Sequence, residues 1–292
     1  MVLPRANTES KIAFCVSKRT GNAVVRNIET PMDVVILAGG KGTRLSKLTQ
    51  ELPKGLIPIG DRPILWHIMK NYASFGYGEF VLCLGYRGHV IKDFFINYDI
   101  LTHDFQLTLG KPESLQIHSP GNTEDWQITL AETGLNAMTG DRVRQIKKYV
   151  GDDEMFMLTY GDGLSDIDID QLVSFHRAHG KVATVTGVRP PGRFGELESD
   201  ETGMVMEFNE KPQATGGRIS GGFFVLNRAI FDYLPDDDGL VFEEDPLRKL
   251  VADNQLMVHQ HDGFWQCMDT YRDFKLLTGL WEGDKAPWKN WS

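Results

Sequence analysis

Cysteine is scarce in this chain of 292 residues: Cys15, Cys83 and Cys267 lie far apart, without CxxC spacing. That excludes a disulfide framework and a structural zinc site, and it fits a reducing cytoplasm. Long apolar runs are also missing. None approaches the ~20 residues that cross a bilayer, and Arg5, Glu9 and Lys11 interrupt the place where an export signal needs a continuous apolar core. A soluble cytoplasmic protein with no membrane partner is therefore expected. Basic residues are outnumbered, and a net charge of −9 argues against a broad nucleic-acid surface while leaving room for a local cluster around one phosphorylated small molecule. No GxSxG elbow, partnered cysteine nucleophile or metal-spaced histidine set occurs. His176 and His179 fall i, i+3 on an expected helix, and His259 and His261 alternate on an expected strand, so all four read as packing or surface residues.

What is present is a globular composition, 41% hydrophobic, arranged as apolar runs alternating with helical periodicity. Strands are expected at 33–38, 80–84, 155–160, 182–189 and 222–226, and helices at 63–75, 89–98, 141–150, 169–178, 243–253 and 272–282. Short strands over 105–133, turning near 119–123, and a hairpin around 200–203 interrupt that rhythm. The pattern predicts an α/β fold: a Rossmann-like, mixed, mostly parallel sheet flanked by helices, with an antiparallel lobe. Residues 33–292 read as a single domain. Residues 1–32 form an N-terminal extension with a possible strand pair, 11–17 and 22–28, and no assigned role.

The segment Leu37-Ala-Gly-Gly-Lys-Gly-Thr-Arg-Leu45 follows the first apolar, β-branched strand, and Pro53-Lys54 follows shortly after. Three glycines let backbone N–H groups converge on an anion, and Arg44 and Lys54 add charge, which suits a polyphosphate. The spacing is neither the GxGxxG dinucleotide fingerprint nor a Walker A loop, since no GK[ST] follows.

Two carboxylates sit at strand ends. Asp162, in Gly161-Asp162-Gly163, follows the strand 155–160 at the sheet edge where ligands bind in open α/β folds, although the same tripeptide also suits a plain turn. Asp269, after Phe264-Trp-Gln-Cys-Met268, precedes a helix and reads from local sequence as its N-cap. If the two meet, they suit Mg²⁺, which takes one or two protein oxygens and fills its remaining positions with water and phosphate. Asp166, Asp168 and Asp170 read as a solvated helix start. Glu210-Lys211-Pro212 and Pro190-Pro-Gly-Arg-Phe-Gly195 suit a strand end and a tight bend.

Taken together, these strings resemble the sugar nucleotidyltransferases, or nucleotide-diphosphate-sugar pyrophosphorylases, from Asp33 to about Trp291. The opening loop carries the superfamily resemblance. Pro63-Ile-Leu-Trp-His-Ile-Met-Lys70, Thr159-Tyr-Gly-Asp-Gly163, Ala183-Thr-Val-Thr186, Pro190 to Gly195, Gly221-Gly-Phe-Phe-Val225 and Ala286-Pro-Trp-Lys289 look like its cytidylyl-transferring branch, with glucose 1-phosphate as acceptor. The resemblance implies a nucleotide site of Leu37, Ala38, Gly39, Gly40, Lys41, Gly42, Thr43, Arg44, Lys54, Gly85, Thr139, Arg142 and Gly161. It implies a sugar site of Gly195, Glu210, Lys211 and Gly222, with Lys211 on the sugar phosphate. Mg²⁺ would be held by Asp162 and Asp269, and Arg44, Lys54 and Lys211 would be the catalytic cations. CTP and a sugar 1-phosphate would be the partners, in a homo-oligomer. The chain departs from that pattern at Ala137, Asp141 and Ser220, where Thr, Gly and Asn are expected. Other nucleotides, another hexose or heptose phosphate, and a non-catalytic nucleotide-sugar sensor are the competing readings.

Overall fold

The run Val34-Val-Ile-Leu37 forms β1, and its alternation shows why it is apolar throughout. Val34 and Ile36 pack into one hydrophobic layer and Val35 into the other, so both faces of the strand are covered. The same holds for β4 (Glu79–Leu84), with Phe80, Leu82 and Leu84 on one side and Val81 and Cys83 on the other. Truncating such a residue, for example Ile36→Ala, costs about 2–5 kcal/mol through lost burial and the cavity left behind.

The computed structural model describes residues 32–45, 49, 52–118, 124–150, 154–190, 196–199, 204–209 and 217–291. The expected strand pair within 11–28, the turn at 119–123, the hairpin tip at 200–203, and Gly195, Glu210 and Lys211 lie outside these residues. The remaining strands are β2 (Pro58–Ile59), β3 (Arg62–Pro63), β5 (Asp104–Thr108), β6 (Lys111–His118), β7 (Gln127–Glu132), β8 (Met155–Tyr160), β9 (Gly163–Ser165), β10 (Ala183–Val188), β11 (Glu196–Ser199), β12 (Val205–Asn209), β13 (Ile219–Asn227), β14 (Leu256–His261) and β15 (Trp265–Cys267). The helices are α1 (Ile64–Ser74), α2 (Gly88–Ile96), α3 (Tyr98–Thr102), α4 (Thr139–Gln145), α5 (Ile169–His179), α6 (Asp245–Ala252) and α7 (Tyr271–Glu282).

A seven-stranded sheet runs in the order β14-β10-β13-β8-β1-β4-β7. Its neighbours pair in parallel except for β13, which runs antiparallel to both β8 and β10. The expected mixed, mostly parallel sheet with flanking helices is the observed architecture. Because β13 runs the other way, its beginning, around Gly222, lies at the same edge as the carboxyl ends of β1, β8 and β10. The pairs β11-β12 and β5-β6 stand apart from this sheet as antiparallel two-stranded ribbons.

Two expected helices differ from those observed. The helix over 89–98 is broken at Asn97, giving α2 and α3. That over 141–150 starts earlier, at Thr139, and becomes a 3₁₀ turn at Ile146–Lys148. The physical reason for the early start is Asp141, whose carboxylate accepts from the Met138 N–H at 3.0 Å and so ties down the entry to the first turn.

Candidate functional site

Beyond Leu37, β1 passes into the glycine loop and then a 3₁₀ turn over Thr43–Leu45. Gly42 takes φ +59°, a left-handed conformation that glycine adopts without strain. A Cβ there would also press on Thr49 Cγ2 at 2.9 Å and on the Lys54 stem at 3.3 Å. The loop is stitched to neighbouring strand ends: Ala38 N–H donates to Cys83 O, Tyr86 N–H to Gly39 O, and Gly161 N–H to Leu37 O, each at 3.1 Å. The loop, Gly85 and Gly161 therefore meet at the carboxyl edge of the sheet.

Asp162 and Asp269 are 107 positions apart, and the short antiparallel pair β9-β15 brings them together. Gly163 pairs with Cys267 and Ser165 with Trp265, and the Met268 N–H donates to Asp162 O at 2.9 Å. Lys54, presented by a 3₁₀ turn after Pro53, lies between the two carboxylates. Its Nζ donates to Asp162 Oδ2 at 2.5 Å and to Asp269 Oδ1 at 2.8 Å. Arg44 donates to Asp269 Oδ2 at 3.1 Å. The Lys54 side chain is 15% exposed and that of Arg44 77%, with both carboxylates near 30%, so the cluster opens to solvent on the Arg44 side.

Burial disfavours the Lys54 charge, but Asp162 and Asp269 outweigh it and hold the ammonium above its ordinary range. For Asp269, burial pushes upward, yet its bond to Lys54 and the nearby Arg44 leave the carboxyl below the usual value. The expectation that Asp269 caps the following helix is corrected here. Thr270 is the N-cap of α7, with Asp273 accepting from the N–H groups of Asp269 and Thr270, which leaves the Asp269 side chain for the cations. The nearby Cys267 thiol is pushed up to about 12 by burial and by Asp269, so it is no nucleophile.

Arg142 is buried beneath the loop. Its guanidinium donates to Leu84 O and Thr133 Oγ1 at 2.7 Å each, and to Gly39 O at 3.2 Å. A side chain at Gly39 or Gly85 would collide with it, so those glycines make room for the cation. Burial pulls its proton affinity down, and Cys83 and Asp141 oppose this only partly. Arg142 therefore supports the loop from below.

Asp141, read as a departure, is a buried junction. Besides capping α4, its carboxylate accepts from Gly239 N–H at 3.1 Å and Leu240 N–H at 3.2 Å. Thr139 Oγ1 accepts from Phe242 N–H and donates to Glu243 at 2.6 Å, and the Tyr160 hydroxyl also bonds Glu243. Burial, then Glu243, raises the Tyr160 pKa, so it remains a neutral donor. Sequence reasoning missed Tyr160, Glu243 and Thr133. Glu243 sat in a segment legible only as a helix start, and no local signal ties it to residues about a hundred positions away. Gly222, with φ +79°, packs against the Tyr160 ring, while Gly221 O accepts from the Trp265 indole at 2.8 Å. Lys41 bonds Asn136 at 3.3 Å, tying the glycine loop to the segment before α4.

Among the described residues, no group of three or more His, Cys, Asp or Glu side chains forms a metal cage. Two carboxylates sharing one cation, with an open side, nevertheless suit a divalent ion that draws its remaining ligands from water and phosphate. Asp162 and Asp269 meet that requirement, since both already reach a single ammonium nitrogen.

Comparison with known proteins places this geometry. The profile of the Nucleotidyl transferase family matches residues 33–275. The chain is 48% identical over 260 residues to a glucose-1-phosphate cytidylyltransferase of Salmonella typhi, covering 89% of this chain and all of that protein. A probable glucose-1-phosphate cytidylyltransferase of Bacillus subtilis is 45% identical over the same coverage. In fold, the crystal structure of HddC from Yersinia pseudotuberculosis superposes with a TM-score of 0.60 at 22% identity, covering 86% of this chain and 99% of that one.

Proposed function

The chain belongs to the nucleotidyl transferase family, and from that premise we propose that it transfers a cytidylyl group from CTP to α-D-glucose 1-phosphate, giving CDP-glucose and pyrophosphate. The observation that carries this reading is the agreement of two things: near-half identity across whole cytidylyltransferases, and the gathering of Arg44, Lys54, Asp162 and Asp269 beside the glycine loop.

In this reading the sugar phosphate oxygen attacks the α-phosphorus of CTP in line, and pyrophosphate leaves. No side chain forms a bond to phosphorus. Catalysis comes from positioning and charge neutralisation, which carry most of the work in phosphoryl-type transfer. The glycine loop, with Gly85, Thr139 and Gly161 around it, receives the nucleotide. Arg142 fixes the Gly39 carbonyl from below, Arg44 and Lys54 face the phosphates, and Lys211 takes the sugar phosphate. Gly195, Glu210 and Gly222 line the hexose. Asp162 and Asp269 would hold Mg²⁺, which when bound neutralises phosphate charge. The cytoplasm and a homo-oligomer complete the proposal; sedimentation velocity tests the latter. Among the described residues, no helix is long and apolar enough to cross a membrane.

The test is a matrix of purified protein with CTP, UTP, dTTP and GTP against several sugar 1-phosphates, scored by pyrophosphate release and by product identity. CTP with glucose 1-phosphate should dominate. A clear preference for another pair refutes the substrate assignment, and pyrophosphate from no pair refutes nucleotidyl transfer.

A further inference from the structure

Lys54 holds the position that the proposed chemistry gives to a divalent ion. Its Nζ lies 2.5 Å from Asp162 Oδ2 and 2.8 Å from Asp269 Oδ1, so one oxygen of each carboxylate is already engaged by an ammonium. Two carboxylates this close repel one another unless a cation lies between them. Arg44 contributes only at the outer Asp269 oxygen, 3.1 Å away.

The backbone beneath Lys54 is fixed, with Leu56 N–H bonded to Pro53 O at 2.8 Å and Ile57 N–H to Lys54 O at 3.1 Å. The stem runs beside Gly42, so the same residue borders both the carboxylate pair and the glycine loop. Four rotatable carbons let a lysine head group move between acceptors without backbone motion. A phosphate on the loop offers the ammonium a new partner.

We propose that Lys54 is an exchangeable internal counter-ion: it closes the Asp162 and Asp269 pair to divalent cations until a nucleotide phosphate draws the ammonium away. This rests on the assignment of those two carboxylates as the metal ligands. Metal and nucleotide binding then become coupled, and coupling of binding is reciprocal. The free enzyme ignores divalent ions in solution, and the metal enters with, or after, the triphosphate.

The test measures Mn²⁺ binding without nucleotide, reading free Mn²⁺ by electron paramagnetic resonance. Native protein should bind weakly. Lys54→Met and Lys54→Gln, checked for native circular dichroism, should bind at least roughly tenfold more tightly, because a competing unit charge has left a carboxylate pair that suits a hard cation. A merely structural role for Lys54 predicts no such gain. Folded variants that bind no better than native overturn the counter-ion role. In the Lys54→Met/Asp162→Asn double variant the gain should vanish; if it persists, the carboxylate assignment is what fails. Should both single variants fail to fold, the native protein still decides. Millimolar Mn²⁺ alone should leave its melting temperature unchanged, and pronounced stabilisation by the metal alone refutes the proposal.

Discussion

Replacing Arg142 with Met removes a buried cation that, among the described residues, no carboxylate pairs with directly. Its guanidinium makes three hydrogen bonds, to Leu84 O, Thr133 Oγ1 and Gly39 O. Bonds from charged donors contribute about 1.5–3 kcal/mol each, but two of these acceptors keep other partners. Leu84 O still accepts from Thr133 N–H and Oγ1, and Gly39 O still accepts from Tyr86 N–H. The low end of that range therefore applies, and the removal of a desolvated charge offsets part of the loss. A net destabilisation of about 3 kcal/mol follows, or a melting temperature lower by roughly 6–10 °C for a domain of this size. Because the lost bond at Gly39 anchors the loop, CTP affinity should fall more than tenfold while glucose 1-phosphate affinity changes little. Differential scanning calorimetry and isothermal titration measure the two effects. A variant melting within a degree of native would refute the assigned bonds. Unchanged CTP affinity would refute the support of the loop.

Asp141→Ala should cost about 2–4 kcal/mol, because three backbone N–H groups, of Met138, Gly239 and Leu240, lose their acceptor; denaturant unfolding measures it, and Asp141→Asn should recover part. Acid should destabilise the protein through His67, which is buried and held at about 4, chiefly by desolvation. Its Nε2 faces Ile59 O at 2.9 Å while the Trp288 indole donates to Nδ1 at 3.4 Å, an arrangement that suits only the neutral ring. The unfolded state takes up that proton first, so stability should fall as pH drops from about 6.5 towards 4, and less so in His67→Gln. His261 has the opposite sign. Burial lowers its affinity for a proton, but its bond to Asp166 and its contact with Phe264 O raise it above the ordinary value. Its contribution is complete below about 6.5 and is lost as pH rises through the higher folded value, so His261→Gln should narrow the gap to native protein at alkaline pH. Urea titrations across pH test both, and parallel profiles for variant and native would refute either.

The central strands were legible because they are apolar on both faces, as Val34 to Leu37 and Met155 to Tyr160 show, and the sheet class followed from their alternation with helices. The reversed direction of β13 was not legible, since Gly222 to Leu226 reads the same either way. The glycine loop and the two carboxylates were found as separate pieces. Their meeting followed from the resemblance and not from local sequence, because it depends on a three-residue pairing, Gly163 to Ser165 with Trp265 to Cys267, far too short to announce itself. Asp269 shows the limit of local rules: an Asp before a helix suits an N-cap, but Thr270 with Asp273 three residues on makes the capping box. Arg142 shows another, since a glycine that makes room for a distant guanidinium looks like any turn glycine until the two are placed side by side.

The span of chain closed by the Lys54 cluster also bears on how the protein is made. Its two ion pairs join residues 108 and 215 positions apart. Contacts this distant in sequence form late, because the loop-closure entropy must be met before they contribute. During synthesis the loop and Lys54 leave the ribosome long before Asp269 exists, so a nascent or truncated chain ending before β15 carries the glycine loop and Lys54 without the cluster's second carboxylate. Appearance of the complete cluster thus reports completion of the whole domain, and recovery of turnover during refolding should coincide with the last increment of burial.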